Sequence, residues 1–470
     1  MVIAVVGSGG KTTRIHKLKE KYQSEGKKVL VTTTTHMMAE ENCVLSGNVQ
    51  EIIQLLQKTG FCMAGLPAED GKIRALSKEV YEKVCQAADV VLVEADGSKC
   101  LPVKFPAKHE PVIPENADEI HVVTGLSALG KVLKEVSHRS ELVRQCLGVS
   151  EETILMPWHL QKLLRDGYME LLEKEYPDKK IEICPGQADN LYQRAVAQFL
   201  REKADVSQVK ASWFETRPKL VVLGGGHVGS HVARLGHFLD FEVIVADDRA
   251  EFADEEKLFF ADHVYCQAFD NVAQLFPPEE NTYYVVVTRG HQADKQCVEQ
   301  ILNHGKYAYL GMIGSRLKVE KTLEALRESG FSENQIQTIH APIGLKIGAR
   351  TPEEIALSIA AELVQEKNKR SDSTLTKELL ETKETGVLCI ITKKSGSSPR
   401  GEGSMMLVTE ERILGSIGGG ILEKSVIEAA KDVKQICKET FSLSNEESRS
   451  LGMICGGTNE ILFIPLNKYI

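Results

Sequence analysis

The 470-residue chain lacks any apolar run that approaches the roughly 18 residues of a membrane-spanning helix. No charged leader with an apolar stretch precedes its first short strand, so no secretory signal is expected. Its 11 cysteines include no pair at two-residue spacing, which argues against a zinc ribbon and a disulfide framework. Free thiols in a reducing compartment fit better, and a cytoplasmic location is therefore expected.

The chain also lacks a strong excess of either charge. Its net charge is −9, and the acidic and basic residues are interspersed. This balance predicts neither a nucleic-acid groove nor binding to an anionic membrane. The hydrophobic fraction of 42% is ordinary for a globular protein, and the length predicts about three domains.

Alternating strand and helix patterns predict an α/β protein with three parts. Residues 1–205 are expected to form a P-loop-like domain with a mainly parallel sheet, 217–366 a Rossmann-type domain, and 380–470 a small α/β module. The polar segment 367–373 is the best linker by composition. The predicted strands are Val2–Val6, Lys28–Thr33, Val90–Glu94, Ile120–Val123, Ile181–Cys184, Leu220–Leu223, Glu242–Ala246, Tyr283–Thr288, Val387–Thr392, Met405–Val408 and Ile461–Pro465.

The first strand runs into a glycine loop that opens a helix, predicted at Lys11–Ser24. Backbone N–H groups at such a helix start bind phosphate, and the helix dipole adds to the attraction. Lys11 is expected to reach the β- and γ-phosphates, and the Thr12 hydroxyl to bind Mg²⁺. The predicted nucleotide-binding residues are Gly7, Gly9, Gly10, Lys11, Thr12 and Thr13. Val5 takes the place of the first glycine of the full motif, so this is a shortened variant.

A later apolar strand ends in two acids, Glu94 and Asp96. An acid there suits a water-positioning or outer-shell Mg²⁺ role, so both acids and Lys11 are predicted as catalytic residues of a slow triphosphate hydrolysis. Glu94 is also a candidate Mg²⁺ ligand. The loop Gly186–Asp189 lies where many nucleotide hydrolases read guanine, but Gly186 replaces the usual asparagine, so the choice between ATP and GTP stays open. The alternative is a glycine-rich turn with an incidental lysine.

Most of the first 190 positions resemble the YqeC-like proteins, which are linked to selenium-dependent molybdenum hydroxylases. The run Glu94-Ala95-Asp96-Gly97-Ser98-Lys99 is the most specific part of this resemblance. The other matching segments are Gly9–Thr13, Thr32–His36, His109–Pro111 and His138–Arg139. Any role for selenium is implied by this resemblance alone.

A second glycine loop follows the strand at 220–223. Its residues Gly224, Gly226 and Gly229 have the dinucleotide-binding spacing, and Asp247 closes the next strand, where an acid usually meets ribose hydroxyls. His227 in the loop either reaches an anionic ligand or caps the helix, and both interpretations stay open.

Further residues are expected to converge at the same sheet edge. His291 follows the next strand of this domain, although a lone histidine is more often structural. Ser315 and Arg316 follow Gly314, and the guanidinium of Arg316 is suited to grip a phosphate through two hydrogen bonds. The alternative here is a set of tight turns.

This part of the chain resembles the XdhC/CoxI family. The matching segments are Gly224–Gly229, Asp247–Arg249, Gly290–His291, Gly314–Arg316, Pro342–Gly348 and Thr351–Ala356. Members of that family bind the molybdenum–pterin cofactor, protect it during sulfuration and help to load it into a molybdenum hydroxylase. The resemblance implies that the residues named above, with Arg249, bind that cofactor.

Two glycine clusters mark the carboxyl-terminal module. Ser397 and Arg400 in the first cluster are expected to supply side-chain donors. The second cluster, Gly418, Gly419 and Gly420, turns into a helix and presents N–H groups to an anion. Glu423 in the first helical turn either bonds a pterin amino group or compensates the helix dipole, and both interpretations stay open.

Cys455 is followed by two glycines, which leave its sulfur little cover. A buried cysteine is usually inert, but a soft thiolate suits molybdenum, sulfur or selenium chemistry, so Cys455 is predicted as a catalytic thiol and a molybdenum ligand. The module resembles the small domain of the XdhC/CoxI family in Ser397–Arg400, Gly418–Glu423 and Cys455–Gly457. In the usual family order this domain precedes the Rossmann domain, whereas here it follows.

Both resemblances together imply a maturation factor for a molybdenum hydroxylase, not a stand-alone oxidoreductase. The expected cofactors are the molybdenum–pterin cofactor, ATP or GTP, and Mg²⁺. The expected partners are the apo-hydroxylase and a sulfur or selenium donor protein, and a homodimer stays open. Two alternatives also stay open: a P-loop kinase fused to an NAD(P)-dependent oxidoreductase, and a non-catalytic scaffold.

Overall fold

The computed structural model describes residues 1–214, 217–370, 375–396, 400–442 and 457–466. Its secondary structure is mixed: the described residues contain two six-stranded parallel sheets, a five-stranded sheet and two small sheets of two and three strands, so the predicted α/β class is confirmed. The chain divides into two compact units. The first contains 1–210, 379–399 and 406–470, and the second contains 211–378 and 400–405. The carboxyl-terminal module therefore shares a unit with the amino-terminal domain, whereas the sequence predicts it as a separate domain.

Residues 1–210 form a parallel α/β domain. Its strands are β1 (Val2–Gly7), β2 (Val29–Thr33), β3 (His36–Met38), β4 (Phe61–Met63), β5 (Leu66–Pro67), β6 (Lys72–Arg74), β7 (Val90–Glu94), β8 (Val103–Lys104), β9 (Glu119–Gly125), β10 (Ser137–His138) and β11 (Lys180–Gly186). Its helices are α1 (Lys11–Ser24), α2 (Val49–Thr59), α3 (Lys78–Ala87), α4 (Leu133–Val136), α5 (Ser140–Leu147), α6 (Pro157–Leu164), α7 (Glu170–Glu175) and α8 (Leu191–Arg201).

The main sheet of this domain has the order β11-β9-β1-β7-β2-β4, and all its strands are parallel. Every residue of β1, β2 and β7 is buried, as expected for central parallel strands with both faces covered. Because the carboxyl ends of parallel strands share one edge, the loop after β1 lies beside the ends of β7 and β9.

Residues 219–370 contain the second parallel sheet. Its strands are β12 (Lys219–Leu223), β13 (Glu242–Asp247), β14 (His263–Cys266), β15 (Thr282–Val286), β16 (Tyr309–Met312) and β17 (Ile339–His340). Its helices are α9 (His227–Phe238), α10 (Val272–Leu275), α11 (His291–His304), α12 (Arg316–Glu328), α13 (Glu333–Ile336) and α14 (Pro352–Arg370). The order β14-β13-β12-β15-β16-β17 is that of a Rossmann fold, with the switch in direction between β12 and β15.

The carboxyl-terminal module contains α15 (Lys377–Glu381), β18 (Gly386–Ser395), β19 (Met405–Val408), β20 (Ile413–Gly415), α16 (Gly420–Ala430), β21 (Cys437–Ser442) and β22 (Thr458–Leu466). Its sheet has the order β20-β19-β18-β22-β21, and β22 pairs antiparallel with both neighbours. The helix α16 packs its buried residues Leu422 and Val426 against this sheet.

The eleven predicted strands lie within the observed ones, or extend past their ends by no more than two residues. The segment predicted as a linker is helical up to Arg370, because Lys and Arg are good helix formers and continue α14. In the part of the chain that the structure describes, no helix is both long and apolar enough to cross a membrane.

Candidate functional site

The first candidate site is the glycine loop between β1 and α1. Gly7, Gly9 and Gly10 all have positive φ, which glycine adopts without steric cost. A Cβ at Gly9 would lie 2.4 Å from the Cα of Gly125 and 2.5 Å from the carbonyl oxygen of Pro102. The loop is therefore pressed against the end of β9, and its residues present their N–H groups at the start of α1. Thr12 and Thr13 follow on the exposed side of the helix.

Lys11 and Glu94 are brought together, as expected from parallel β1 and β7. Lys11 is 4% exposed, and its Nζ donates to the carbonyl of Gly7 at 2.9 Å and to the hydroxyl of Ser98 at 2.9 Å. Its distance to Oε1 of Glu94 is 3.7 Å. Burial lowers the pKa of Lys11 and raises that of Glu94, while each charge partly offsets the shift of the other.

Asp96 has a different position from the one predicted for a water or metal ligand. Its carboxylate is fully buried and accepts hydrogen bonds from the N–H of Gly7 at 3.0 Å, Nζ of Lys104 at 2.5 Å and the hydroxyl of Tyr168 at 2.8 Å. With three donors in place, this carboxylate holds the glycine loop. Of the two predicted acids, Glu94 is the one beside Lys11, and the catalytic role of Asp96 is replaced by a structural one.

Lys104, Glu110 and Arg139 continue this network, and sequence reasoning assigned them no role. Nζ of Lys104 lies 2.8 Å from Oε2 of Glu110, and Arg139 contacts both oxygens of Glu110, at 2.5 and 2.9 Å. Burial opposes ionisation of Glu110, but the hydrogen bonds from Arg139 and Lys104 lower its pKa to about 2. The only sequence signal was that Glu110 and Arg139 fall in segments matching the YqeC-like pattern. No sequence signal identified Tyr168, because its hydroxyl reaches Asp96 from a π-helical turn, Arg165–Met169.

A cavity of about 340 Å³ lies beside the glycine loop. Its lining includes Gly10 and Thr13 on one side and the predicted base-reading loop on the other. We call residues Gly186–Asp189 the nucleobase loop. The cavity has the size of a small-ligand pocket, and it connects the loop that would hold phosphates with the loop that would hold a base.

The second candidate site is the carboxyl edge of the Rossmann sheet. A Cβ at Gly229 would lie 1.8 Å from the carbonyl oxygen of Gly224, so the tight turn requires glycine. Asp247 is 1% exposed and accepts from the N–H of Gly225 at 2.8 Å and from both Nε and Nη2 of Arg249, at 2.9 and 3.0 Å. The expectation that Asp247 meets ribose hydroxyls is corrected, because its carboxylate is already engaged by Arg249 and the loop.

Arg249 and His227 face the ligand side of this loop. The guanidinium carbon of Arg249 lies 3.9 Å from the ring centre of Phe252, and the nearest heavy atom to a Cβ built on Gly226 is Nη2 of Arg249, at 4.0 Å. His227 is exposed and makes no capping bond at the start of α9. It lines a cavity of about 230 Å³ together with Gly226, His231 and Lys257. Of the two interpretations of His227, the ligand-facing one agrees with this geometry.

The remaining predicted residues of this site stand at neighbouring strand ends. His291 is the exposed first residue of α11, just beyond β15. Ser315 caps α12 by accepting from the N–H of Lys318 at 3.4 Å, and Arg316 is the exposed first residue of that helix, beyond β16. Because β12, β13, β15 and β16 are parallel, all these residues lie at one edge of the sheet, as the Rossmann pattern predicts.

The third candidate site, the glycine turn of the carboxyl-terminal module, is occupied by the side chain of Glu423. Oε2 of Glu423 accepts from the hydroxyl of Ser416 at 2.7 Å and from the N–H groups of Ile417 and Gly419 at 3.2 and 3.0 Å. This is the helix-compensating interpretation of Glu423, and the predicted anion site at Gly418–Gly420 is filled by its carboxylate. Arg400 is exposed, and Ser397 and Cys455 lie outside the described residues. Among the described residues, no group of three or more His, Cys, Asp and Glu side chains is arranged to hold a metal ion.

Three family models match separate parts of the chain. The model of the YqeC protein matches residues 3–141, that of the XdhC Rossmann domain matches 220–363, and that of the XdhC and CoxI family matches 379–438. The uncharacterized protein YqeC of Escherichia coli K12 is 35% identical over 172 residues, which is 35% of this chain and 67% of that protein.

Two further relatives match over smaller shares of their own length. The uncharacterized protein YqeB of E. coli K12 is 34% identical over 154 residues, 32% of this chain and 28% of YqeB. A probable xanthine dehydrogenase subunit of Bacillus subtilis is 28% identical over 151 residues, 32% of this chain and 43% of that protein. Among solved structures, a xanthine dehydrogenase from Bacillus halodurans aligns with a TM-score of 0.31 at 21% identity, over 35% of this chain and 46% of that one.

Proposed function

Since the chain belongs to the YqeC family and also carries both XdhC-type domains, we propose that it is an accessory factor for the maturation of a xanthine-dehydrogenase-type molybdenum hydroxylase. In this role it binds the molybdenum–pterin cofactor, assists its sulfuration or selenation, and helps to insert it into the apo-hydroxylase. The other partner would be a sulfur or selenium donor protein.

The observation that supports this proposal most is the state of Asp247. A dinucleotide-dependent dehydrogenase needs a free acid at this position for the ribose hydroxyls, whereas here the acid is paired with Arg249. The glycine loop, Arg249, His227 and Arg316 instead offer N–H groups and cations at one sheet edge, which suits a phosphorylated ligand. The same observation disfavours a fused NAD(P)-dependent oxidoreductase.

In the amino-terminal domain we place ATP or GTP with Mg²⁺. Gly7–Gly10 and Lys11 would hold the phosphates, the Thr12 hydroxyl would bind Mg²⁺, and the cavity beside the nucleobase loop would hold the base. Glu94 would orient water or the metal for a slow hydrolysis that gates delivery of the cofactor. Cys455 remains our candidate for the thiol that handles molybdenum or the chalcogen, on its sequence context alone.

The test compares cofactor loading of two variants of the same helix. The full chain and its Arg316→Ala and Arg327→Ala variants are purified from a molybdenum-replete host, and molybdenum, selenium and pterin are measured in each sample. Arg316 begins α12 at the proposed site, whereas Arg327 lies near its other end and pairs with Glu333 at 2.6 Å. Loss of a charge-assisted contact of about 1.5–3 kcal/mol should weaken binding by roughly 10- to 100-fold for Arg316→Ala. A wild-type chain without pterin, or equal loading of both variants, would contradict the proposal.

A scaffold without catalysis would behave differently in a second assay. If the amino-terminal domain merely docks the hydroxylase, Lys11→Ala should leave maturation of the hydroxylase unchanged. The proposed function requires instead that Lys11→Ala abolish both triphosphate binding and maturation. Activity of the hydroxylase in cells that carry the variant distinguishes the two outcomes.

A further inference from the structure

We propose that Lys383 and Arg194 are positioning residues for the nucleobase, so that the carboxyl-terminal module controls the fit of the base in the triphosphate site. The proposal rests on the nucleotide binding proposed above. It adds that residues 379–384, which precede the first strand of the module, belong functionally to the nucleotide site of the amino-terminal domain. Both parts lie in the first compact unit.

The nucleobase loop is fixed from two sides by side chains. On one side, the hydroxyl of Ser127 donates to Oε1 of Gln187 at 2.6 Å, and Gln187 has a positive φ of 55°. On the other side, Nζ of Lys383 donates to the carbonyl oxygen of Asp189. The N–H of Asp189 donates to Oε1 of Gln193 in the first turn of α8, at 2.7 Å. The path of the loop therefore depends on one residue of the module and on the helix that follows the loop.

Helix α8 is held against the same segment of the module. Arg194 is 3% exposed, and its two terminal nitrogens donate to the carbonyl oxygens of Thr382 at 2.9 Å and Glu384 at 2.6 Å. A buried guanidinium requires acceptors, and here they are main-chain carbonyls on both sides of Lys383. Arg194 thus fixes the backbone from which Lys383 reaches the nucleobase loop.

The far end of α8 is also attached to the module. Oε2 of Glu202, which ends α8, accepts from the N–H of Ile436 at 2.9 Å, and Oε1 of Glu202 accepts from Gln198 at 2.6 Å. Between these two ends, α8 contacts β22. Since α8 is bound to the module at both ends, a shift of the module moves the helix and the loop at its start together.

This arrangement separates recognition of the base from recognition of the phosphates. The glycine loop is held by Asp96 and by β9, and it packs against Gly186 at the start of the nucleobase loop. Lys383 contacts the other end of the nucleobase loop, at Asp189, and no hydrogen bond among the described residues joins 379–384 to the glycine loop. Changes in the module should therefore alter affinity for a nucleoside triphosphate but not for a bare triphosphate. By linkage, the nucleotide should in turn stabilise the docked arrangement of the module.

The experiment measures dissociation constants of the full chain by calorimetry with ATP, GTP and inorganic tripolyphosphate, each with Mg²⁺. The variant is Lys383→Ala, which removes an exposed side chain, and the matched control is Lys434→Ala, an exposed lysine of the same module outside 379–384. Loss of the contact should raise the dissociation constant of the preferred nucleoside triphosphate about five- to tenfold. Binding of tripolyphosphate by Lys383→Ala, and of all three ligands by Lys434→Ala, should be unchanged.

A second variant, Arg194→Lys, keeps the charge but loses the paired donors, and it should bring the affinities for ATP and GTP closer together, whichever base is preferred. If the wild-type chain binds tripolyphosphate but neither nucleotide, or binds none of the three, both this proposal and the proposed nucleotide site fail. If wild type and Lys383→Ala bind the nucleotide equally, only this proposal fails. Equal weakening of nucleotide and tripolyphosphate by Lys383→Ala would also overturn it, because the effect would then lie in the glycine loop.

Discussion

Glu94 and Asp96 are two residues apart at the end of β7, yet their surroundings predict opposite effects of mutation. Glu94→Gln keeps the shape of the side chain, and Lys11 retains its bonds to Gly7 and Ser98, so the loss of the charge 3.7 Å from Lys11 should cost less unfolding free energy than Asp96→Asn. Loss of a carboxylate that positions water should lower triphosphate hydrolysis by about 100-fold. Phosphate release under saturating nucleotide, together with urea unfolding, measures both quantities.

Asp96→Asn should act mainly on stability. It breaks a buried ion pair with Lys104 and weakens the bond to the N–H of Gly7, which should cost about 3 kcal/mol of unfolding free energy. Urea unfolding of the two variants side by side provides the comparison. If Asp96→Asn is as stable as wild type and only hydrolysis is lost, the structural role assigned to Asp96 is wrong.

Glu94 and Asp96 also show which side-chain roles the sequence alone does not predict. The order strand, glycine loop, lysine, then strand and acid was enough to predict an acid at the same site as Lys11, because parallel strands bring such ends together. It did not separate Glu94, the last residue of β7, from Asp96, two residues beyond it, since the role of each carboxylate depends on which side chains pack against it. That depends on Lys104 and Tyr168, whose positions come from tertiary structure.

Among the elements, the turn from β1 into α1 sets the steric requirements of the site. In Gly9→Ala the new Cβ meets backbone atoms at 2.4–2.5 Å at a φ of 73°, so the loop must move. We expect destabilisation of about 3 kcal/mol and loss of triphosphate binding. Gly26→Ala is the matched control, because Gly26 has a φ of 75° and no neighbour within 4 Å of its Cβ. It should cost about 1 kcal/mol and leave binding intact, as judged by thermal unfolding and calorimetry.

The pairing of β8 with β10 predicts a pH dependence. The pKa of Glu110 is about 2 in the folded chain, below its ordinary value of 4.5. Between these two pH values Glu110 is protonated in the unfolded chain but not in the folded chain. Its contribution to the free energy of unfolding is therefore fully present above pH 4.5 and is lost as the pH falls towards 2. Urea unfolding between pH 7 and pH 3 should show a smaller pH dependence for Glu110→Gln than for wild type. The exposed Glu115→Gln should retain the wild-type slope, and a slope for Glu110→Gln equal to wild type would contradict the assignment.

Elements were predicted well where their pattern was local. The apolar runs of β1, β7 and β12 and the glycine loops after β1 and β12 identified both parallel sheets. The short strands β8 and β10 were missed, since two-residue strands carry no periodicity and form only when distant segments meet. Glu423 illustrates another limit: the sequence shows an acid near a glycine turn, but only the fold shows that the acid fills the anion site.

At the scale of the whole molecule, the division into two units determines which strands a bound ligand stabilises. Composition suggested an independent carboxyl-terminal module, because the chain before it is polar, and nothing in a linear pattern reveals that Arg194 is buried against 382–384. Each unit has its own apolar clusters, one around Ile3, Val5 and Leu92 and another around Leu223, Val286 and Leu310. A ligand of one unit should therefore stabilise the strands of that unit as a group.

Hydrogen exchange of the full chain with and without nucleotide tests this prediction. At a free nucleotide concentration of about 100 times the dissociation constant, binding adds about 2.7 kcal/mol, so amides that exchange only through unfolding of the first unit should slow by about 100-fold. The slowing should include β18 and β22 as well as β1 and β7, while β12 and β15 keep their rates, and Lys11→Ala should abolish it. If amide exchange slows in β1 and β7 but not in β18 and β22, the module unfolds independently of the amino-terminal domain, and nucleotide binding does not stabilise it.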